Sequence, residues 1–327
     1  MPLTMSPFTT GFGLEELTQS IIARPYTPTL LGDLGIFESE SLSTNSVTLE
    51  TDGRTVGLVD IKPRNAPAQV VEAVNKRKLQ SFVIPHLPQR ATVMADEVLN
   101  VREFGSTNQL RTVESVINKR LQRMREQIDY TMESHRLQAI LGNYYSATGA
   151  LTSLYTEMGV KKKSIAIDLT SNTLELEVEM MRIHEAMEAA LDGIPYTGIQ
   201  IIYGATKWKQ LIACPSIKAT MQNWAAAVNL GRDPRTPMMY GDAQHVRYRG
   251  SNLVKVPDDK AYAIPLGVAG QFKHFFAPAN YMETVNTMAQ PYYAKSEILE
   301  FGKGMQIEAQ TNVLTLNTLP AAVIELA

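Results

Sequence analysis

Five histidines, His86, His135, His184, His245 and His274, and one cysteine, Cys214, are the residues of this chain best suited to metal binding or nucleophilic chemistry. Zinc and its neighbours in the periodic table need imidazole or thiolate ligands at spacings such as His-x-x-x-His or Cys-x-x-Cys, and none of the six has such a neighbour. Phosphate-cradling and nucleophile-elbow patterns are missing as well: there is no Gly-x-x-x-x-Gly-Lys-Ser/Thr, no Gly-x-Gly-x-x-Gly after a strand, and no Gly-x-Ser-x-Gly. The carboxylate pair Asp258-Asp259 sits in Val256-Pro257-Asp258-Asp259-Lys260, where a turn accounts for it more simply than an acid/base dyad. Cys214 follows Leu211-Ile212-Ala213 and precedes Pro215, the setting of a buried structural thiol. Trp208 and Trp224 stand in helical patterns with apolar neighbours, as core residues do. No catalytic residue, cofactor site or metal site is assigned. Scattered residues can still assemble a site, so a soluble enzyme with a diffuse site between lobes stands as the alternative reading.

The remaining chemistry is charge. Lys62, Arg64, Lys76, Arg77 and Lys78, with Arg54 just before them, make residues 46–80 locally basic, interrupted by Pro63 and Pro67. Such a stretch is either a solvated loop or a contact surface for carboxylates. The whole chain is nearly neutral, with 31 Lys and Arg against 33 Asp and Glu, which argues against a dedicated nucleic-acid binder. One cysteine excludes an intrachain disulfide and fits folding in a reducing compartment. The first residues lack the basic and apolar regions of a secretory leader, and no run reaches the ~18–20 apolar residues that span a bilayer. A protein that is neither secreted nor membrane-bound is expected.

These residues need a scaffold, and 327 residues with 44% apolar content exceed a single simple core. Residues 1–45 carry Pro7, Gly11, Gly13, Pro25, Pro28, Gly32 and Gly35, an arm without long regular elements whose apolar side chains need cover from the fold or from a neighbour. A hairpin is expected from Ser46 to Ile61 about Asp52-Gly53, and short strands at 82–84 and 91–94 separated by Pro85-His86-Leu87-Pro88. Leu110, Val113, Ile117, Leu121, Met124, Ile128 and Met132 then mark one stripe of a helix over about 106–141, roughly 50 Å long. Its charged residues, Arg111, Lys119, Arg120, Arg123, Arg125 and Arg136 against Glu114, Glu126, Asp129 and Glu133, are expected on a solvent face. Gly142-Asn143 stops the helix before a second hairpin, and Lys161-Lys162-Lys163 reads as a solvated turn.

A second lobe is expected from about Leu169. Asn172 and Glu175 resemble a capping box ahead of a helix bearing Leu176, Met180, Ile183, Met187 and Leu191. Strand Ile199–Tyr203, Gly204 and a helix through Trp208 and Leu211 follow, a small α/β unit. The C-terminal strands are expected to return to the first lobe.

Several stretches resemble the lambda-type phage major capsid proteins, the capsid protein E family. They are Leu49–Gly53 with Pro63–Pro67, Ala95–Ser106, Ile128–Glu133, Leu137–Asn143, Leu154–Gly159, Ala261–Gly267, Phe276–Asn286 and Pro291–Lys295, in the right order from about residue 46 to the end. Met158 stands where that family is expected to have Phe, and Asn65 where Gly is common. The resemblance implies an α+β, Hong Kong 97-type major capsid fold: N-terminal arm 1–45, extended loop hairpin 46–80, peripheral domain 81–170 with the long spine helix, axial domain 171–250, and return strands 251–327. It implies a structural protein that self-assembles into hexamers and pentamers of an icosahedral shell in a tailed double-stranded DNA phage. Scaffolding protein, portal and decoration protein would be partners, packaged DNA would be touched weakly, and assembly would take place in the host cytoplasm. Arg54, Lys62, Arg64, Lys76, Arg77 and Lys78 become inter-subunit contacts in that picture.

Overall fold

The computed structural model describes residues 14–23, 29–51, 78–97, 113–171, 174–218, 236–251 and 253–327. In chain order it begins with helices α1 (Leu14–Ile22) and α2 (Leu30–Asp33) and strand β1 (Glu38–Ser41). Next come β2 (Ser46–Thr51), β3 (Lys78–Val83), β4 (His86–Met94) and the spine helix α3 (Val113–Ile140). A small hairpin, β5 (Asn143–Tyr145) and β6 (Leu151–Ser153), leads through α4 (Leu154–Met158) to β7 (Lys163–Ile165). Then follow α5 (Leu176–Leu191), β8 (Gly198–Tyr203), α6 (Ala205–Ala213), β9 (Met238–Tyr240) and β10 (Ala243–Arg247). The chain finishes with β11 (Ala261–Leu266), β12 (Phe272–Phe276), β13 (Tyr293–Ile298), β14 (Gly304–Asn317) and β15 (Ile324–Leu326).

One sheet is organised by β14, whose 14 residues bond β4 along Gly304–Asn312, β13 along Met305–Gln310 and β12 along Val313–Asn317, with β1 added parallel to β12. The spine lies on this sheet. Its predicted stripe is the buried one: Ile117, Leu121, Met124, Ile128 and Met132 pack with Ile307, Val313 and Phe276, and with Leu17 and Ile21 of α1. The arm's described apolar residues are therefore covered by their own chain. The 28 described residues of α3 make a rod about 42 Å long. It stops where expected, at Gly142 with φ +81°; any Cβ there would run into the Tyr155 ring.

The second sheet has the order β7-β15-β11-β8-β10-β9. On one face lie α5 and α6, through the predicted residues Leu176, Met180, Ile183, Met187, Leu191, Trp208 and Leu211, packed on Ile199, Ile201 and Tyr203. Ile202, Tyr262 and Ile264 join a different cluster with Leu137 and Ile140 from the end of the spine, Leu31 of α2 and Phe272. That cluster couples the two sheets through the last turn of α3. The C-terminal return divides: β14 completes the first sheet, whereas β15 bonds β11 and β7 in the second.

Local expectations are corrected at four places. β2 pairs antiparallel with β3, Ser46 opposite Val83 and Thr51 opposite Lys78, so the strand that answers β2 is far along the chain; 55–61 lies outside the described residues. Pro88 is inside β4, opposite Gln310; β4 bonds only β14 among the described residues, so a residue without an N–H fits its open edge. Glu175 is the N-cap of α5 and makes no side-chain cap bond, so it does not close a capping box; Asn172 lies outside the described residues. Lys162 and Lys163 are engaged: Lys162, though exposed, pairs with Glu325, and half-buried Lys163 donates to the Ala186 carbonyl at 2.9 Å.

Candidate functional site

Arg54, Lys62, Arg64, Lys76 and Arg77 lie outside the described residues, and the backbone of Lys78 opens β3. What the structure does define is the root of their loop. β2 and β3 form a two-stranded ribbon whose Phe82 and Ile84 are buried with Leu154, Phe275, Leu314 and Leu316. Gln80 ties it down by donating to the Glu157 carbonyl at 2.8 Å and its carboxylate at 3.0 Å. Leu79 and Val83, at alternate positions, are 68% and 53% exposed.

The larger surprise is on the spine. Arg125, Asp129, Glu133 and Arg136, expected in solvent, are all buried, with Asp129 at 0% exposure. Arg125 donates to the carbonyls of Ile21 and Ile22 at 2.6 and 3.2 Å and to Asp129 at 3.4 Å, and its guanidinium stacks 3.9 Å from the Tyr292 ring centre. Tyr292 donates to the other oxygen of Asp129 at 2.5 Å. Burial, and then the Asp129 carboxylate, push the Tyr292 phenol well above its usual range. One turn on, Glu133 accepts from the Leu31 backbone N–H at 3.0 Å and from Tyr248 at 3.1 Å, and Arg136 stands 3.5 Å from it.

The pattern has an electrostatic logic. A helix ends with unbonded carbonyls and begins with unbonded N–H groups. Arg125 meets the carbonyls that end α1, and Glu133 meets an N–H that begins α2. One helix thus fixes both arm helices by complementary charge. The sequence signal was the position of these residues: Arg125, Asp129 and Glu133 each follow by one place a residue of the apolar row Met124, Ile128 and Met132, so they border the buried stripe rather than oppose it.

The histidines are dispersed. His274 accepts from Arg136 Nε at 3.0 Å and bonds the Thr315 hydroxyl at 2.8 Å; burial first, and then Arg136, lower its pKa to about 3. His135 is stacked on Tyr145, and burial with Arg136 lowers it to about 4. His245, bonded to Tyr203 at 2.8 Å, is likewise lowered to about 4 by burial. His86 bonds Asn312 at 2.7 Å, and His184 bonds Tyr196 at 3.1 Å. Among the described residues no three His, Cys, Asp or Glu gather as a metal site. Cys214 and Trp208 are buried as expected, Trp224 lies outside the described residues, and Asp258-Asp259 form a turn. In that turn the Asp258 carbonyl accepts from the N–H groups of Thr206 and Lys207 at 2.9 Å each.

A second ionic group closes the C-terminus. Glu325, 6% exposed, receives Lys162, Lys260 at 2.9 Å and Tyr262 at 2.9 Å. Burial opposes its charge, but the three hydrogen bonds outweigh it and hold the carboxyl below its usual range. Both ionic groups join elements distant in sequence. An open cavity of about 490 Å³ borders the first, lined by Asp33, Glu133, Arg247 and Tyr248 among others, but the Glu133 carboxylate is already taken by Leu31, Tyr248 and Arg136. Their chemistry is that of holding a shape.

The model of the phage major capsid protein E family matches residues 13–327. The chain belongs to that family. Relatives include the major capsid protein of Pseudomonas phage KPP10, 27% identical over 96% of each chain. That of Salmonella phage Felix O1 is 25% identical over 96% of this chain and 95% of its own. The capsid of cyanophage Pam1 shares the fold at a TM-score of 0.54, with 10% identity over 89% of this chain and 88% of that one. As a member of the phage major capsid protein family the chain is a structural component of the virion, and the enzyme alternative is set aside. Its α+β, Hong Kong 97-type fold is the one the resemblance implied. In a capsid protein, the buried charges of the spine belong to the scaffold and the surfaces between copies carry the function. No helix among the described residues is long and apolar enough to cross a membrane.

Proposed function

We propose that copies of this chain close an icosahedral shell of hexamers and pentamers around double-stranded DNA, with the loop between β2 and β3 lying across a neighbouring copy. The observation that carries the reading is the ribbon itself. A two-stranded ribbon is marginal alone, and this one buries one face while Leu79 and Val83 stay exposed on the other. A second subunit is the natural cover. In this reading 1–45 is the arm, 46–80 the extended loop, 81–170 the peripheral domain, 171–250 the axial domain, and 251–327 the strands completing both. Arg54, Lys62, Arg64, Lys76, Arg77 and Lys78 pair with carboxylates of the neighbour and set register more than affinity.

Near neutrality suits a wall that contains DNA without gripping it, since strong phosphate binding would resist packaging and release. Scaffolding protein, portal and decoration protein are the further partners, and the host cytoplasm is the place of assembly. The test is electron microscopy of the chain carrying Arg64→Glu and Arg77→Glu, expressed with the neighbouring phage genes. Closed shells should vanish while folded free subunits remain. Shells of normal yield and size from the double variant would refute the loop's role.

A further inference from the structure

Beyond the spine and the ribbon, one groove holds unsatisfied charge. It has a volume of about 480 Å³ and lies between the start of α6 and the chain that leaves β10. Arg247, Arg249 and Lys255 line it, against one carboxylate, Asp258, which already stands 3.7 Å from Lys255. Arg247 is half-buried, and its Nε is fully buried and bonded to nothing among the described residues. The donors open to an outside partner are those of Arg249 and Lys255, both exposed in the groove, and a carboxylate fits a guanidinium fork best. The groove wall is held in place: Ser251 is bonded to Tyr130 of the spine and accepts from the N–H groups of Leu253 and Val254 at 3.2 Å each.

The complement is on α5. Glu177, Met181 and Glu185 follow at four-residue steps along its outer side, with Val178 beside them. Val178 is 51% and Met181 62% exposed, and Glu177 and Glu185 form no ion pair among the described residues. The two surfaces do not meet within one chain. α5 is tied by His184 to the Gly241 carbonyl, ahead of the first residue of β10, whereas the groove begins at Arg247, the last residue of that strand.

We infer that the Arg247–Arg249–Lys255 groove receives the Glu177–Glu185 stripe of α5 from a second copy of this chain. This rests on the self-assembly reading above and names the surfaces it uses. Because the two surfaces differ, the contact is head-to-tail: each copy gives its stripe to one neighbour and takes the stripe of another, the arrangement that closes into rings. Carboxylates meet guanidinium groups at the rim, and Met181 and Val178 lose their solvent exposure between them.

The test is charge exchange in the full-length chain, scored by shell yield in electron microscopy and sedimentation. Arg247→Glu with Arg249→Glu, and separately Glu177→Lys with Glu185→Lys, should each lower shell yield by about tenfold or more. All four changes in one chain should restore assembly, because both faces are then reversed. The milder Glu177→Gln with Glu185→Gln, at exposed positions that leave the fold intact, should give a smaller loss of the same kind. The inference is overturned if either reversed pair assembles like the wild type, or if the fourfold chain assembles no better than the worse pair. It is also overturned if shells form normally but lose only their DNA, which would turn the groove toward nucleic acid. A wild-type chain that never forms shells would instead overturn the self-assembly reading on which the contact depends.

Discussion

At the scale of single residues, the spine shows how burial changes the meaning of a charge. Asp129 has no exposure and neutralises Arg125, so removing it leaves a buried cation facing two carbonyls and a tyrosine. Asp129→Ala should destabilise the unassembled chain by about 3–5 kcal/mol in urea unfolding. Replacing the pair together, Arg125→Met with Asp129→Leu, removes both charges but strands the Ile21 and Ile22 carbonyls and the Tyr292 hydroxyl. Its loss should lie below that of Asp129→Ala; a double variant weaker than the single would sink this account. Little of this was legible in the sequence. Cys214 and Trp208 were, since an apolar neighbourhood is a property of the sequence, but a Lys, Arg, Asp or Glu on a helix looks the same whether it meets water or an opposing helix end. A place beside the apolar stripe is only part of the signal, since Glu114, one place after Val113, is exposed.

Among elements, periodic ones were read well and paired ones were not. The stripes of α3 and α5 declare themselves because a helix buries its own repeat: Ile117, Leu121, Met124, Ile128 and Met132 of α3 and all five residues predicted for α5 are buried. Strand partners are set by the rest of the fold. β2 is answered by β3 across residues 52–77, and Pro88 is tolerated because β4 bonds only β14 among the described residues; neither fact is written locally. The end of α3 was read correctly because the left-handed Gly142 is a local requirement, with the Tyr155 ring as a second reason for glycine. Gly142→Ala should cost roughly 1–3 kcal/mol from backbone strain and the displaced ring. A urea midpoint equal to that of the parent chain would show that Tyr155 yields freely.

For the whole molecule, acid is the natural stress. His135 and His274 share the neighbourhood of Arg136 while His245 lies in the second sheet, and burial is the leading cause that lowers them from 6.5 to about 4, 3 and 4 respectively, with Arg136 adding to the first two. The unfolded chain takes up these protons near pH 6.5 while the folded chain resists them. Their contribution is therefore complete above about pH 6.5 and declines as pH falls toward 4, by about 1–2 kcal/mol for each histidine at pH 5. Glu325, held below its usual carboxylate range, loses its share at lower pH still, so both act in the same direction. Urea unfolding of the unassembled chain at pH 7.5 and 5 should show the midpoint fall, and a constant midpoint would contradict it.

The apolar anchorage of the spine on the second sheet lies near its C-terminal end, at Leu137 and Ile140, while most of its length rests on the first. A rod about 42 Å long gripped at one end is a pointer. Were the second sheet to turn by about 5° relative to the first, the far end of α3 would sweep about 3.7 Å, roughly two-thirds of one helical turn. Angular change too small to disturb packing at the pivot becomes displacement large enough to re-register a contact at the tip, so the molecule converts rotation near one sheet into travel along the other.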